Sequence, residues 1–258
     1  MVNNSDAVID KQLISKLMDS FVCICIAGVD CRHSYRGSGC IVSVDDLTAN
    51  VVTNYHLVET VNKIVDIIGN GWSLLGRVVY VDPKLDLALI KFTNNNKNLI
   101  TNYQILQSFP SFGDHMLSLG YATNDYNLCT GIIISPASVY LTDHNMSYFY
   151  SCSPGMVYIE HCVPIYSGFS GGPLIDVSNG QLCCMNCIVE NGSQRFAISG
   201  DYINKFLENA HLFRESQQLR RLSEHRAIRL GMHFKWQSRG CYIVTKFLNF
   251  DETYMGSE

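Results

Sequence analysis

The sequence has no excess of basic residues. Its 258 residues include 19 lysines and arginines against 23 aspartates and glutamates, which gives a formal net charge of −4. Proteins that bind nucleic acid derive much of their affinity from basic side chains that neutralise phosphates. Nucleic-acid binding therefore has no electrostatic support here, and we expect no nucleic-acid partner.

Long hydrophobic runs are also missing. A membrane-spanning helix needs roughly 20 consecutive apolar residues, and the run at residues 21–29 is short and interrupted by cysteines. Residues 1–20 are polar and lack the order of a secretory signal, in which a basic segment precedes an apolar one. We expect no membrane span and an intracellular, reducing compartment (cytoplasm or nucleus, with an organelle still open).

A regular, even set of cysteines is absent as well. There are 11 cysteines, and several lie in apolar runs such as Phe21–Ile26. This pattern favours buried free thiols over a disulfide framework, in agreement with a reducing compartment. His161-Cys162 and Cys183–Cys187 could supply zinc ligands, but their spacing is not that of a standard zinc site. We therefore interpret them as strand residues and expect neither metal nor cofactor.

Short apolar runs separated by turn residues make up most of the chain. They lie at 21–27, 39–44, 50–54, 63–68, 74–81 and 87–92, with further runs between 115 and 198 that include 130–140 and 173–176. Asp, Asn, Gly and Pro separate the runs, and 47% of the residues are hydrophobic, enough for a substantial core. The pattern predicts an all-β fold, a sandwich or a pair of barrels. Helical spacing is confined to an N-terminal extension at 1–20, to a stretch that begins at Asp201 and runs through Leu207, and to a separate charged stretch at Ser216–Arg229.

A serine set among glycines stands out in Ser167-Gly168-Phe169-Ser170-Gly171-Gly172-Pro173-Leu174. A serine on a sharp bend, with backbone N–H groups beside it, suits an acyl-transfer nucleophile. Such clusters are more often ordinary turns, so the stretch is ambiguous by itself.

Two upstream residues could activate Ser170. His56 follows a β-branched apolar run, so the end of a strand can aim its imidazole into a cleft, and Asp86 precedes another apolar run. A carboxylate beside buried hydrophobic residues needs a partner. Asp82 is the competing acid, and the Asp-Leu-Ala-Leu context favours Asp86. The order His56, Asp86, Ser170 is that of chymotrypsin-type enzymes, with a base, an orienting acid and a nucleophile.

Four stretches together resemble the trypsin-like peptidases of the HtrA (Deg) family: Gly37–Val42, Thr53–Val58, Asp86–Lys91 and Gly168–Leu174. The likeness covers roughly residues 20–210. It implies two six-stranded antiparallel β-barrels of the chymotrypsin type at 21–210, with a short N-terminal helix, C-terminal helices and the site between the barrels. It also implies an oxyanion hole at Gly168, Phe169 and Ser170, with the N–H groups of Gly168 and Ser170 receiving the charge. Phe169 stands where this family usually has asparagine.

The resemblance places the substrate pocket on two segments, whose residues are Pro164, Ile165, Tyr166, Met185, Asn186 and Cys187. Enzymes that cleave after Lys or Arg carry an acid six positions before the nucleophile, and Pro164 occupies that position here. We therefore expect cleavage after small or medium apolar residues.

The predicted function is a serine endopeptidase acting on unfolded or extended polypeptides through an acyl-enzyme on Ser170. One alternative is a catalytically weak or silent relative that binds peptides or partners. Another is a lipase or esterase, whose Gly-x-Ser-x-Gly pattern matches but whose triad order does not. HtrA proteases typically form trimers through N-terminal aromatic contacts, and Phe21 is the only aromatic residue before Tyr35. A homotrimer and a monomer both remain open.

The segment 211–258 is expected to contain a C-terminal helix and strands. Arg229–Met232 and Gly240–Val244 faintly resemble the first strands of a PDZ domain, but only about 30 residues follow from Arg229. The segment is therefore either a truncated or degenerate start of a PDZ domain or, more simply, an addition packed on the barrels.

Overall fold

Twelve strands of the chain close into two β-barrels. The computed structural model describes residues 11–27, 34–94, 105, 109–122, 125–139, 156–190, 194–229, 232–236 and 242–247. The chain divides into two compact units, 1–207 and 208–258, and both barrels belong to the first. Each barrel has six antiparallel strands, so the predicted all-β, chymotrypsin-like fold with few helices is confirmed.

The first barrel follows helix α1 (Lys11–Ser20). Its strands are β1 (Phe21–Ala27), β2 (Ser34–Val44), β3 (Thr48–Asn54), β4 (Ile64–Gly69), β5 (Trp72–Asp82) and β6 (Leu87–Thr93), with the one-turn helix α2 (Tyr55–Val58) after β3. The order around the barrel is β1-β2-β3-β6-β5-β4, and β1 closes it by pairing with β4. Alternation along β1 sends Val22, Ile24 and Ile26 into the barrel core and Cys23 and Cys25 to the opposite face.

The second barrel has the order β10-β11-β12-β9-β8-β7. Its strands are β7 (His115–Ala122), β8 (Asp125–Val139), β9 (Val157–His161), β10 (Pro173–Asp176), β11 (Leu182–Glu190) and β12 (Gln194–Ser199). Strand β8 begins before the apolar run predicted at 130–140, because its polar first residues pair with the end of β7 from Ala122↔Asp125 onward. Backbone pairing therefore extends this strand beyond its hydrophobic pattern.

Helix α3 (Gly200–Arg229) follows β12 without a break, where the pattern had suggested separate helical stretches. Ile203 and Phe206 in its first turns are fully buried, and the Phe206 ring lies 5.3 Å from that of Tyr80. In the unit 208–258, β13 (Met232–Trp236) pairs with β14 (Tyr242–Phe247) in a two-stranded antiparallel sheet. None of the described helices is long and apolar enough to cross a bilayer.

The cysteine and histidine residues considered as zinc ligands lie in or beside the second barrel. Cys183 and Cys184 are buried core thiols, and Cys162 is an exposed free thiol. His161 is fully buried, and neither ring nitrogen has a hydrogen-bond partner in the part of the chain that the structure describes. Burial, with a smaller contribution from the nearby positive charge of Arg195, lowers the pKa of His161 to about 3. The imidazole is therefore neutral in the folded protein.

Replacement of His161 by leucine should remove an acid-sensitive component of stability. The unfolded chain binds a proton at this histidine near its ordinary pKa of 6.5, whereas the folded protein does not until the pH approaches about 3. Stability is therefore lost as the pH falls below 6.5, by about 2 kcal/mol between about pH 7.5 and about pH 5. In urea unfolding, His161→Leu should lose about 2 kcal/mol less over this interval than the wild type. The control is His115→Gln, at an exposed position, which should lose as much stability over this pH interval as the wild type. A His161→Leu variant that loses as much stability as the wild type would contradict the assignment.

Candidate active site

His56 and Asp86 form a hydrogen-bonded pair at the edge of the first barrel. His56 lies in α2, directly after β3, and Asp86 directly precedes β6, the antiparallel neighbour of β3. The Nδ1 atom of His56 is 2.8 Å from Oδ2 of Asp86, and the His56 backbone N–H donates to Oδ1 at 2.9 Å. The Asp86 carboxylate is fully buried, while 25% of the His56 side chain is exposed. One carboxylate thus orients a histidine that still reaches solvent.

Asp82, the competing acid, builds the turn before Asp86. Its Oδ1 atom accepts the backbone N–H groups of Lys84 at 2.9 Å and Leu85 at 3.2 Å. The turn ends with Asp86 at φ 54°, a left-handed conformation that aspartate adopts more readily than most residues. The structure therefore places Asp86, and not Asp82, beside His56.

Residues from both barrels support Asp86. The backbone N–H of Tyr55 and the Asn54 side-chain amide donate to its carbonyl oxygen at 3.0 and 3.2 Å. From β11 in the second barrel, the Cys187 thiol donates to Oδ2 at 3.2 Å. A buried carboxylate needs such donors, because an unpaired charge is costly away from water. Cys187 therefore belongs to the support of the His56–Asp86 pair.

Ser38 of β2 connects the glycine-rich turn of the second barrel to the first barrel. Its backbone N–H donates to the Ser170 carbonyl oxygen at 2.8 Å, and its hydroxyl donates to the Gly168 carbonyl oxygen at 2.6 Å. Its own carbonyl oxygen accepts the Thr53 hydroxyl at 2.7 Å. Thr53 lies three residues before His56 on β3. Ser170 is thus tied through Ser38 to the strand that leads into His56.

The peptide groups around Ser170 have defined orientations. Gly168 has φ 100°, and a Cβ there would collide with the Tyr121 carbonyl oxygen, so this position requires glycine. The Phe169 N–H donates to the Tyr166 carbonyl oxygen at 3.0 Å, and the Phe169 carbonyl oxygen accepts the Gly172 N–H at 2.8 Å.

These orientations determine which N–H groups could face a substrate. Within the described residues, the N–H groups of Gly168 and Ser170 have no hydrogen-bond acceptor. Of the three residues predicted for the oxyanion hole, Gly168 and Ser170 each have a backbone N–H that could donate to a substrate oxygen. Phe169 is a correction: its N–H is already bonded to Tyr166, and it contributes by holding the turn.

The Phe169 side chain lies in the core of the second barrel. It is fully buried among the core residues of the second barrel, and its ring packs against Gly120 of β7. A Cβ at position 120 would overlap the ring, so glycine there provides the space for phenylalanine. Phenylalanine in place of the family's usual asparagine therefore fills space in the barrel core, and the backbone hydrogen bonds of Phe169 to Tyr166 and Gly172 are still made.

The residues predicted to line the substrate pocket divide into two groups. Ile165 is buried, Pro164 is half-buried and Tyr166 is 61% exposed, so this segment reaches the surface. Asn186, by contrast, is fully buried; its side-chain amide donates to Ser118 at 2.7 Å, and its carbonyl oxygen accepts the Gly171 N–H. Asn186 thus holds the turn from behind. Met185 is also fully buried, and the Cys187 thiol bonds Asp86. Of the six residues predicted for the pocket, only Pro164 and Tyr166 have side chains that are half-buried or exposed.

Comparison with known proteins agrees with this geometry. A family model for the trypsin-like peptidase domain matches residues 37–185, more than half of the chain. The chain belongs to the trypsin-like peptidase family. The matched region contains Ser38, His56, Asp86 and Ser170.

The relatives of this peptidase include HtrA and Deg proteases. A probable periplasmic serine endoprotease, DegP-like, from Chlamydia trachomatis is 32% identical over 164 residues, which are 63% of this chain and 30% of the relative. Human serine protease HTRA4 is 29% identical over 177 residues, 69% of this chain and 35% of the relative. The predicted likeness to the HtrA family is confirmed. The chain spans about a third of the length of these curated relatives.

Solved structures share the fold of this peptidase. The active form of the Rv3671c protease from Mycobacterium tuberculosis has a TM-score of 0.64 at 20% identity, over 78% of this chain and 85% of that one. An HtrA-type protease solved with a tripeptide has a TM-score of 0.61 at 19% identity, over 76% and 61% of the two chains. At these identities the likeness establishes the two-barrel fold.

Sequence reasoning missed the role of Ser38 and assigned Cys187 to the pocket. Ser38 was assigned only to the stretch Gly37–Val42 that resembles the HtrA family, because its partners in the Ser170 turn lie about 130 positions away. The available signal was a small polar residue between two glycines in a strand, a place where another backbone approaches closely.

Removal of the Ser38 hydroxyl should slow the reaction of Ser170 while leaving the fold intact. Ser38→Ala keeps the backbone bond to Ser170 but removes the hydroxyl that donates to the Gly168 carbonyl oxygen and accepts the Tyr121 N–H at 3.1 Å. Among the described residues, the peptide group between Gly168 and Phe169 then keeps only its bond to Tyr166. We expect the rate of labelling by a fluorophosphonate probe to fall about tenfold, less than the loss caused by deleting an oxyanion donor. Ser199→Ala is the matched control, since that buried hydroxyl has no hydrogen-bond partner. Equal rates in the two variants would refute the role of Ser38.

Proposed function

We propose that this peptidase is a serine endopeptidase that cleaves unfolded or extended polypeptides through an acyl-enzyme on Ser170. The observation that carries the proposal is the 2.8 Å bond between His56 Nδ1 and the buried Asp86 carboxylate. It leaves Nε2 as the histidine atom for proton transfer. The hydrogen bonds of Ser38 hold Ser170 against the same barrel. A base, its orienting acid and a serine are the parts that acyl transfer requires.

In the first half of the proposed reaction, His56 Nε2 takes the proton of the Ser170 hydroxyl as Oγ attacks the substrate carbonyl carbon. The tetrahedral intermediate carries a negative charge on the former carbonyl oxygen. His56 then gives the proton to the leaving nitrogen, the C–N bond breaks, and the acyl group remains on Ser170 as an ester. Asp86 stabilises the imidazolium that exists between these two proton transfers.

In the second half, a water molecule takes the place of the departed amine. His56 accepts a proton from this water as its oxygen attacks the ester carbon, and returns the proton to Ser170 Oγ as the C–O bond breaks. In both halves the N–H groups of Gly168 and Ser170 would donate to the oxyanion. Their availability is supported by the bonds that engage the neighbouring Phe169 N–H and carbonyl oxygen. Preorganised donors of this kind commonly contribute 10²–10³-fold in rate, or about 3–4 kcal/mol.

The nucleophile can be tested with a serine-reactive fluorophosphonate probe. The wild type should be labelled, and Ser170→Ala should not be, because the proposal makes the Ser170 hydroxyl the group that His56 activates. Ser167→Ala is the control, since this neighbouring serine is exposed on the same turn. His56→Ala should also abolish labelling. Labelling that persists in Ser170→Ala at the wild-type rate would refute the proposal.

A preference for small or medium apolar residues before the cleaved bond is the second part of the proposal. It is supported by the absence of an acid at position 164 and by the apolar side chain of Ile165 next to it. A buried cationic substrate side chain would find no partner there and would be costly. Sequencing of the products from a peptide library should show apolar residues at this position. A dominant preference for Lys or Arg would overturn the assignment.

The substrate and compartment belong to the same proposal. An extended substrate would pair with the edge of β11. Such pairing binds a polypeptide through its backbone, so it suits unfolded polypeptides of varied sequence. An intracellular, reducing location is supported by the free thiols at Cys23, Cys25, Cys40, Cys129, Cys162, Cys183 and Cys184.

A further inference from the structure

Strand β1 carries two cysteines on the face opposite the core of the first barrel. Cys23 and Cys25 are separated by one residue, so both side chains project from the same face. Their Sγ atoms are 3.7 Å apart, and both thiols are free and buried. Cys25 keeps 7% of its surface exposed, whereas Cys23 has none. The strand therefore carries a buried dithiol of which only Cys25 touches solvent.

Charged side chains flank Cys25, the cysteine of this pair that touches solvent. Cys25 pairs across the sheet with Arg36 of β2 on one side and with Asp66 of β4 on the other. The hydrogen bond with Cys23, assisted by the charge and a hydrogen bond of Arg36 and opposed by desolvation and Asp66, lowers the pKa of Cys25 to about 7. The same hydrogen bond raises the pKa of Cys23. A thiolate beside an arginine, with a second thiol in contact, is the arrangement of reactive cysteine pairs.

We propose that Cys23 and Cys25 form a redox site, which a peroxide oxidises to a disulfide within β1. A strand advances about 3.3 Å per residue, so the two Cα atoms lie about 6.6 Å apart, close to the upper limit of about 6.8 Å for disulfides. A disulfide also needs Cβ atoms about 3.5–4.5 Å apart, whereas same-face Cβ atoms on an extended strand have about the Cα spacing. The bond therefore requires β1 to bend and contract locally between its two neighbouring strands, as the Sγ atoms move from 3.7 Å to about 2.05 Å. A disulfide near the limit of allowed geometry is easily reduced, which suits a reversible modification.

The oxidation proceeds in two steps, formation of a sulfenic acid and then of the disulfide. The Cys25 thiolate attacks one oxygen of hydrogen peroxide, the O–O bond breaks, and the released hydroxide takes a proton to become water, leaving Cys25 as a sulfenic acid. The Cys23 thiol then attacks the Cys25 sulfur as it loses its proton, the S–O bond breaks, and a second water leaves. Two electrons pass from the two sulfurs to the peroxide. A dithiol reductant reverses the process by thiol–disulfide exchange.

The dithiol lies across the sheet from residues that hold the active-site turn. In the β1–β2 register Cys23 pairs with Ser38, and Cys25 pairs with Arg36, two residues before it. Contraction of β1 would therefore act on the segment whose Ser38 bonds both Gly168 and Ser170. Oxidation should slow peptide hydrolysis about tenfold, because small displacements of positioning groups have large effects on rate. This consequence rests on the proposed function; formation of the disulfide does not.

Other thiols of the chain provide internal comparisons. Burial raises the pKa of Cys40 and of Cys184, so both stay protonated and inaccessible. Cys162 is exposed and tests whether exposure alone determines oxidation. The proposal predicts that Cys23 and Cys25 react together and before Cys40 and Cys184.

Peptide mapping of the intact protein tests the disulfide directly. The wild type is treated with hydrogen peroxide, alkylated, and digested with a protease that cuts before aspartate. Cuts before Asp19 and Asp30 release residues 19–29, which contain Cys23 and Cys25 and exclude Cys31. We expect this peptide to lack two hydrogens, to resist alkylation, and to become alkylated twice after treatment with dithiothreitol. A peptide that remains doubly alkylated after peroxide treatment, while Cys162 is oxidised, would overturn the proposal.

A variant separates the two chemical steps. In Cys23→Ser the second thiol is missing, so a sulfenic acid on Cys25 should persist and be trapped by dimedone. Cys25→Ser should give no dimedone adduct on Cys23. An adduct on Cys23 in that variant, or none on Cys25 in Cys23→Ser, would contradict the assigned roles.

Peptide hydrolysis by the wild type should fall about tenfold on oxidation and recover with dithiothreitol. Cys23→Ser cannot form the disulfide, so its rate of hydrolysis should be the same before peroxide, after peroxide and after dithiothreitol. A disulfide that forms without altering hydrolysis would refute the link to Ser38 and leave the redox site standing.

Discussion

The cross-barrel hydrogen bonds of Ser38 are the interaction on which the site depends. The glycine-rich turn that carries Ser170 belongs to the second barrel, whereas His56 and Asp86 belong to the first. Two barrels that packed only through apolar contacts could slide by fractions of an ångström at little cost, and acyl transfer tolerates little displacement. Bonds from one serine to the carbonyl oxygens of Gly168 and Ser170 fix the turn against β2 at two points. The thiol of Cys187 makes the reciprocal connection from β11 to Asp86.

The turn that carries Ser170 accommodates a residue that departs from the family pattern. Phenylalanine at position 169 places a large apolar side chain where a polar residue is usual in the HtrA family. The side chain occupies the core of the second barrel, and Gly120 on β7 leaves room for its ring. The backbone groups of Phe169 bond Tyr166 and Gly172, so they hold the turn without help from the side chain. The departure changes what fills the barrel, and the peptide groups next to the nucleophile keep their partners.

The sequence and the structure agree most closely where the pattern is periodic. The apolar run at 21–27 coincides with β1, and those at 87–92 and 173–176 coincide with β6 and β10 to within a residue. Alternation of buried and exposed residues is a local property, and it is visible without knowing the partner strand. The start of β8 was missed because its polar residues are held by pairing with β7. Helix α3 was divided for a related reason: its middle is largely exposed, so no apolar periodicity marks its continuity.

The sequence alone determined the fold class and the order His56, Asp86, Ser170, because strand periodicity and short family motifs are written in consecutive residues. It could not decide which groups support those three residues. Whether Asp82 or Asp86 meets the histidine depends on a turn in which Asp82 bonds backbone N–H groups and Asp86 adopts a left-handed conformation. The partners of Ser38 in the Ser170 turn, and the Asp86 carboxylate that Cys187 contacts, lie roughly a hundred or more positions away, and such contacts exist only after the barrels close. Tertiary structure decided them because hydrogen bonds depend on distance in space, which separation along the chain does not reveal.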